Sequence, residues 1–165
     1  MPHTDETTSG GTVRLLAGTA PSGRPVFENV PADRTAPDEW TLTASPGMAM
    51  GAAAGDVVRV RPDGRFDVLT RAGNIAVHAA GPTSATGQFD RLVQAVERLG
   101  GRLDGRGYTK DNTSSMAVFT IPYAAGFEAV EAAFNDYAAT VPGGEWYYVN
   151  VYDPADDTTP LNWWQ

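Results

Sequence analysis

From residue 73 onward the chain switches between a period of two and a period of 3.6 in an order that few folds accommodate. Residues 74–79 alternate as a strand. After them Thr86 or Ser84 offers a helix cap, and Phe89, Leu92, Val93, Val96 and Leu99 recur along one helical face. Asp90, Arg91, Gln94, Glu97 and Arg98 fill the other side, and Gly100 with Gly101 ends the segment. Residues 102–106 read as a weak second strand and 116–121 as a strong third, stopped by Pro122. Phe127, Val130, Ala133, Phe134 and Tyr137 mark a second helix, closed by Pro142, Gly143 and Gly144, and residues 145–153 supply a last strand. An antiparallel sheet with both helices on one face satisfies this succession. It is the ferredoxin-like β-α-β-β-α-β arrangement, in which the first and fourth strands are neighbours.

The first half has a different rhythm. Short apolar runs at residues 12–17, 25–28, 40–44, 57–60 and 66–69 are each followed by Pro, Gly or Asp turn chemistry, and the Asp63-Gly64 pair between the last two is a hairpin signal. Five short strands in this space predict a small β-barrel or a curled sheet. Residues 48–54, rich in Ala, are expected to form one helical turn plugging a barrel end. The predicted fold class is therefore α+β: a β-rich, barrel-like module over residues 12–72 packed on a ferredoxin-like module over 73–153. Residues 1–11 are polar and Gly-ended, and read as a disordered arm. Residues 154–165 end in Trp163 and Trp164, whose exposure to water would be costly, so this tail is expected to dock back, over the open sheet face.

The last strand carries the main functional question. Side chains alternate across a strand, which puts Tyr147, Val149 and Val151 on one face and Trp146, Tyr148, Asn150 and Tyr152 on the other. The first set reads as core. The second is too polar for a simple core and too apolar for a bare surface, so it is set outward, beside His78 of the neighbouring strand, with Ile75, Val77 and Ala79 turned to the helices. Ala117, Phe119 and Ile121 are assigned to the helices as well. The candidate ligand- or partner-binding residues are thus His78, Trp146, Tyr148, Asn150 and Tyr152. The competing reading is that this face packs on the β-rich module or on a second copy, each polar tip satisfied across the contact.

Several chemistries are set aside. The chain has no cysteine, which removes thiolate catalysis, thiolate-bound zinc and iron–sulfur clusters. Asp153, Asp156 and Asp157 lack the spacing of a calcium loop and read as a solvated turn, so no metal site is assigned. Gly100, Gly101, Gly105 and Gly107 follow a helix and do not open one, so they are no phosphate cradle, and no cofactor is implied. Twenty acidic against twelve basic residues give a net charge of -8, which disfavours nucleic acid and anionic membranes as partners. No run of 18 apolar residues occurs, and the first residues carry no basic and apolar leader, so a cytoplasmic protein is expected. The preference for Arg over Lys110, the single Lys, fits a bacterial source.

The segments Ser45-Pro-Gly-Met48, Ala54-Gly-Asp-Val-Val58, Gly73-Asn-Ile-Ala-Val77, Leu99-Gly-Gly-Arg-Leu-Asp104 and Asn150-Val-Tyr-Asp153, with the Pro160-Leu-Asn-Trp-Trp164 ending, resemble an uncharacterised bacterial domain-of-unknown-function family. The resemblance runs from about Thr12 onward and implies a two-module protein. It brings no activity and no catalytic residue.

The functional expectation is a non-catalytic binding or accessory protein that partners or neutralises another bacterial protein, a basic one by charge, in the manner of immunity proteins; a homodimer is compatible with the open face. One alternative is a sensor or carrier of a small apolar or aromatic ligand held between the modules by Trp146, Tyr148 and Tyr152. A second is a hydrolase or isomerase using His78 with an acid such as Asp153.

Overall fold

The computed structural model describes residues 11–165, so the arm expected over 1–11 lies, apart from Gly11, outside the described residues. Five strands come first: β1 (Thr12–Thr19), β2 (Pro25–Ala36), β3 (Glu39–Leu42), β4 (Val57–Val60) and β5 (Phe66–Thr70). They form an antiparallel meander in sequence order. β2 is far longer than its apolar run predicts, because it serves two partners. Its residues 25–31 pair with β1, and its residues 32–36 pair with β3, with the changeover at Pro31. Proline has no N–H to give to a ladder, so a strand that changes partner there loses little.

The meander curls without closing into a barrel. Among the described residues β5 pairs only with β4, and the sheet comes round on itself where the Leu16 amide of β1 donates to the Gly64 carbonyl at 2.9 Å. Val13, Leu15, Val30, Ala32, Leu42 and Val58 fill its core. The helical turn expected over 48–54 is absent. That segment is irregular, and Ala49, Ala52, Ala53 and Ala54 are buried in it, their small side chains letting the backbone run close to both halves of the molecule.

The second half follows as β6 (Asn74–Pro82), α1 (Thr86–Arg98), β7 (Arg102–Tyr108), β8 (Ser114–Pro122), α2 (Phe127–Thr140) and β9 (Glu145–Tyr148). The sheet order is β7-β8-β6-β9, all antiparallel, which is the ferredoxin-like order with the first and fourth strands adjacent. Phe89, Leu92 and Val96 of α1 and Val130, Phe134 and Tyr137 of α2 are buried against Ile75, Val77, Ala79, Ala117, Phe119 and Ile121. Neither Ser84 nor Thr86 caps α1. Ala85 holds that position without a side-chain bond. At the far end Gly100 has φ +86°, and a Cβ on Gly101 would lie 2.6 Å from the Thr120 carbonyl oxygen, so the tight exit onto β7 requires glycine.

The tail returns to the body. The Leu161 amide donates to the Val151 carbonyl at 2.9 Å, and the Trp163 indole N–H donates to the Asn150 carbonyl at 2.7 Å. Its place differs from the expected open sheet face: Trp163 and Trp164 pack with Tyr123, and Trp164 also packs with Phe127 at the start of α2. Among the described residues no helix is long and apolar enough to cross a membrane.

Candidate functional site

The face of the second sheet opposite its helices is covered in part by the β-rich half, and the contact is polar at its centre. His78 is fully buried there. Its Nε2 lies 2.9 Å from the Pro46 carbonyl and its Nδ1 2.9 Å from the Tyr147 hydroxyl. A carbonyl only accepts, so Nε2 carries the proton and Tyr147 donates to Nδ1. Burial holds the His78 pKa below its ordinary value, against the opposing pull of the Pro46 carbonyl and the charge of Glu28. The ring is neutral and locked, and a substrate would reach neither nitrogen without displacing Pro46 or Tyr147. Asp153, the acid paired with it in the hydrolase expectation, accepts instead from the Ala155 amide of its own turn.

Ser45 adds polar contacts that join the halves, and Asp56 and Glu28 fix the β-rich side. Ser45 Oγ meets Thr120 Oγ1 at 2.6 Å, and the Ser45 amide donates to Asp104 at 2.8 Å. Asp56 accepts from the Ala53 and Ala72 amides at 3.0 and 2.9 Å and faces Arg71 at 3.5 Å. Burial pushes the Asp56 pKa up, and those amides and Arg71 pull it partly back. Glu28 accepts from the amides of Gly47, Met48 and Ala49 at 2.6, 2.9 and 2.8 Å, which fixes the loop that carries Met48. Among the described residues every buried side-chain nitrogen and oxygen has a partner.

The five sequence-predicted site residues do not form one face. Strand register decides this: Trp146 pairs with Ala79 and Tyr148 with Val77, so both point to the helices, whereas Tyr147 pairs with His78 and points to the β-rich half. The parity assigned to the last strand is therefore reversed for Trp146, Tyr147 and Tyr148. Trp146 packs on Phe134 and Tyr148 on Phe127. The strand also stops at Tyr148, five residues earlier than expected. After it Asn150, fully buried, turns inward and continues the ladder with its side chain: Oδ1 accepts from the Ala76 amide at 2.9 Å and Nδ2 donates to the Asn74 carbonyl at 2.8 Å. Tyr152 then bridges to Pro160 and packs on the helix-side core.

The open space between the two halves is elsewhere. A cleft of about 680 Å³ lies beside the buried seam, over the β7 and β8 end of the sheet. None of the five predicted residues lines it. Its floor is Ala80, Met116 and Val118, and its walls include Met48 and Pro31. Gly105 and Gly107 share this face, because they pair with Val118 and Met116. Neither has positive φ, and a Cβ added at Gly107 would meet nothing within 4 Å, while one at Gly105 would find only Val118 at 3.9 Å. The backbone does not require glycine at either position. Their effect is to leave the cleft floor bare on the edge strand, and the signal available in sequence was two glycines spaced by two within a weak strand.

The acidic groups of the cleft are already engaged. Asp104 accepts from Ser45 and Thr120 and pairs with Arg102, and Glu28 is held by the loop amides. What faces the open space is chiefly thioether, aliphatic carbon and backbone.

No curated protein matches the sequence. Among solved structures, one described as a novel crystal structure of a hypothetical protein from Neisseria gonorrhoeae is similar, with a TM-score of 0.58 and 14% identity. The match covers 85% of this chain and 94% of that one, and it shows a shared fold. The sequence profile of the domain of unknown function DUF4265 matches residues 28–143, more than half of the chain, and the protein belongs to that family.

Proposed function

We propose that this protein is a non-catalytic binding protein whose working site is the cleft between its two halves, and that the cleft takes a small apolar or aromatic ligand. The observation that carries this reading is the pair Gly105 and Gly107. Glycine inside a strand costs about 0.5–1 kcal/mol against a residue with a side chain, and here neither φ nor crowding asks for it. Keeping the floor bare is the remaining reason. The volume of about 680 Å³ lies within the range of small-molecule sites. Met48 and Met116 suit such a site, since an unbranched thioether adapts to the shape it meets.

A thermal-shift screen of apolar and aromatic compounds against the wild-type chain and Gly107→Val tests this. Hits that stabilise the wild type and lose their effect in the variant support the reading. Hits that stabilise both equally contradict it.

A partner protein is the second reading, favoured by the exposure of Met48 (51%) and Tyr108 (56%) near the cleft and by the outer edge of β7, which no strand among the described residues pairs. A basic partner would suit the net charge of -8. Pull-down from a lysate in which Met48→Ala and Tyr108→Ala retain every captured protein would count against it. Both readings keep the expectation of a bacterial, cytoplasmic protein, which recovery of the chain from a membrane fraction would contradict.

A further inference from the structure

At the outer edge of β9, away from the cleft, the reversed strand parity gathers the rings of Trp146, Tyr148 and Tyr152 about a second hollow. It has a volume of about 300 Å³ and is lined by Trp146, Tyr147, Tyr148, Tyr152, Glu131 and Asp157. The Trp146 and Tyr148 rings stand at 89° to one another, centroids 5.1 Å apart, and Tyr152 stands 6.4 Å beyond Tyr148. Two of the walls are fixed by hydrogen bonds: the Trp146 indole N–H donates to Asn135 Oδ1 at 2.9 Å, and the Tyr148 hydroxyl donates to Glu131 Oε2 at 2.8 Å. Tyr152 and Tyr147 are partly exposed, so the hollow opens to solvent.

Its charge is one-sided. Glu131 and Asp157 are both carboxylates, and neither pairs with a cation among the described residues. The nearby negative charges also help to raise the pKa of Tyr147 and Tyr148, each of which is raised first by burial. Ring faces are electronegative and attract a cation set over them, most strongly when it is poorly hydrated. A bare ammonium carries three strongly hydrated donors, and outside the carboxylate side of the hollow, where Glu131 Oε2 already takes the Tyr148 hydroxyl, the walls are rings that accept only weakly. N-methylation removes those donors and replaces them with apolar contact, while the charge remains to meet Asp157.

We propose that this hollow binds a methylated ammonium group, as carried by choline or by a trimethylated lysine. The site is separate from the cleft, and its existence does not depend on the reading given for the cleft.

Calorimetric titration of the full chain with choline and with 3,3-dimethylbutan-1-ol, its neutral isostere, tests the charge. A peptide bearing trimethyllysine, against the unmethylated peptide, distinguishes a free cation from a protein tail as the source. The expected result is saturable binding of choline or of the methylated peptide, about fivefold or more tighter than that of its control. Asp157→Asn is expected to weaken it severalfold; Asp157 has φ 58°, which asparagine tolerates, so the fold is kept. Tyr152→Leu is expected to weaken it as well, and Gly107→Val to leave it unchanged. Equal binding of the charged and neutral compounds, no saturable binding by any methylated cation, or binding unaltered in both Asp157→Asn and Tyr152→Leu would overturn the proposal.

Discussion

Tyr147 donates its hydroxyl to Nδ1 of His78 at 2.9 Å, and the two residues sit directly opposite each other on β9 and β6. The bond is made at the place where the β-rich half covers the sheet, with Pro46 closing the other side of the imidazole. His78 is thereby a joint between the halves.

The joint has a pH consequence. The folded-state pKa of His78 lies below its unfolded value of 6.5, chiefly through burial, so the unfolded chain binds more protons below that pH. The contribution of His78 is complete above 6.5 and is lost as pH falls below it toward the lowered folded value, with a slope of at most about 1.4 kcal/mol per pH unit. Urea unfolding between pH 7.5 and 5.5, conditions set for the measurement around about the histidine reference value, is expected to show this slope in the wild type and to lose it in His78→Gln. In Tyr147→Phe the stability is expected to drop by about 1 kcal/mol with the slope retained.

Gly107 offers a test in the opposite direction. Valine fits the strand and its Cβ meets nothing within 4 Å, so Gly107→Val is expected to raise stability by about 0.5–1 kcal/mol. A chemical denaturation midpoint that rises while ligand stabilisation disappears is the combined outcome. A lower midpoint would mean that glycine is there for the fold.

Glu28 holds the wall of the cleft. Glu28→Ala removes the acceptor of three amides and is expected to cost about 2 kcal/mol, with faster hydrogen exchange at Gly47, Met48 and Ala49. Exchange unchanged at those three amides would contradict the anchoring role.

Asn150 does the work of a strand with its side chain. Asn150→Ala leaves the Ala76 N–H and the Asn74 carbonyl without that partner, and is expected to cost about 3 kcal/mol by thermal or denaturant unfolding. A loss under about 0.5 kcal/mol, the size of an ordinary surface change, would contradict it.

Much of the second half was legible because its core alternates cleanly. Ile75, Val77 and Ala79, and Ala117, Phe119 and Ile121, take the helix face that period two assigns them, and the stripes of α1 and α2 are buried where the 3.6 period places them. The last strand was not legible for a physical reason. Tyr147 is as aromatic as its neighbours yet stays 41% exposed, so side-chain type does not distinguish Trp146 and Tyr148, which pack on the helices, from Tyr147, which meets His78. The cleft was hidden as well, since it is defined by absent side chains at Gly105 and Gly107 and by a loop, residues 43–56, whose path is set by Glu28 and Asp56 and not by any local period.

The most direct test of the cleft uses the chain's own methionines. Met48 and Met116 line the cleft, whereas Met50 lies on the other side of that loop, near Arg71 and Pro154. In the full chain carrying ¹³C-methyl methionine, titration with a stabilising apolar compound is expected to shift the Met48 and Met116 resonances and leave Met50 in place. Shifts at Met50 alone, or none at Met48 and Met116 under saturating compound, would contradict the account.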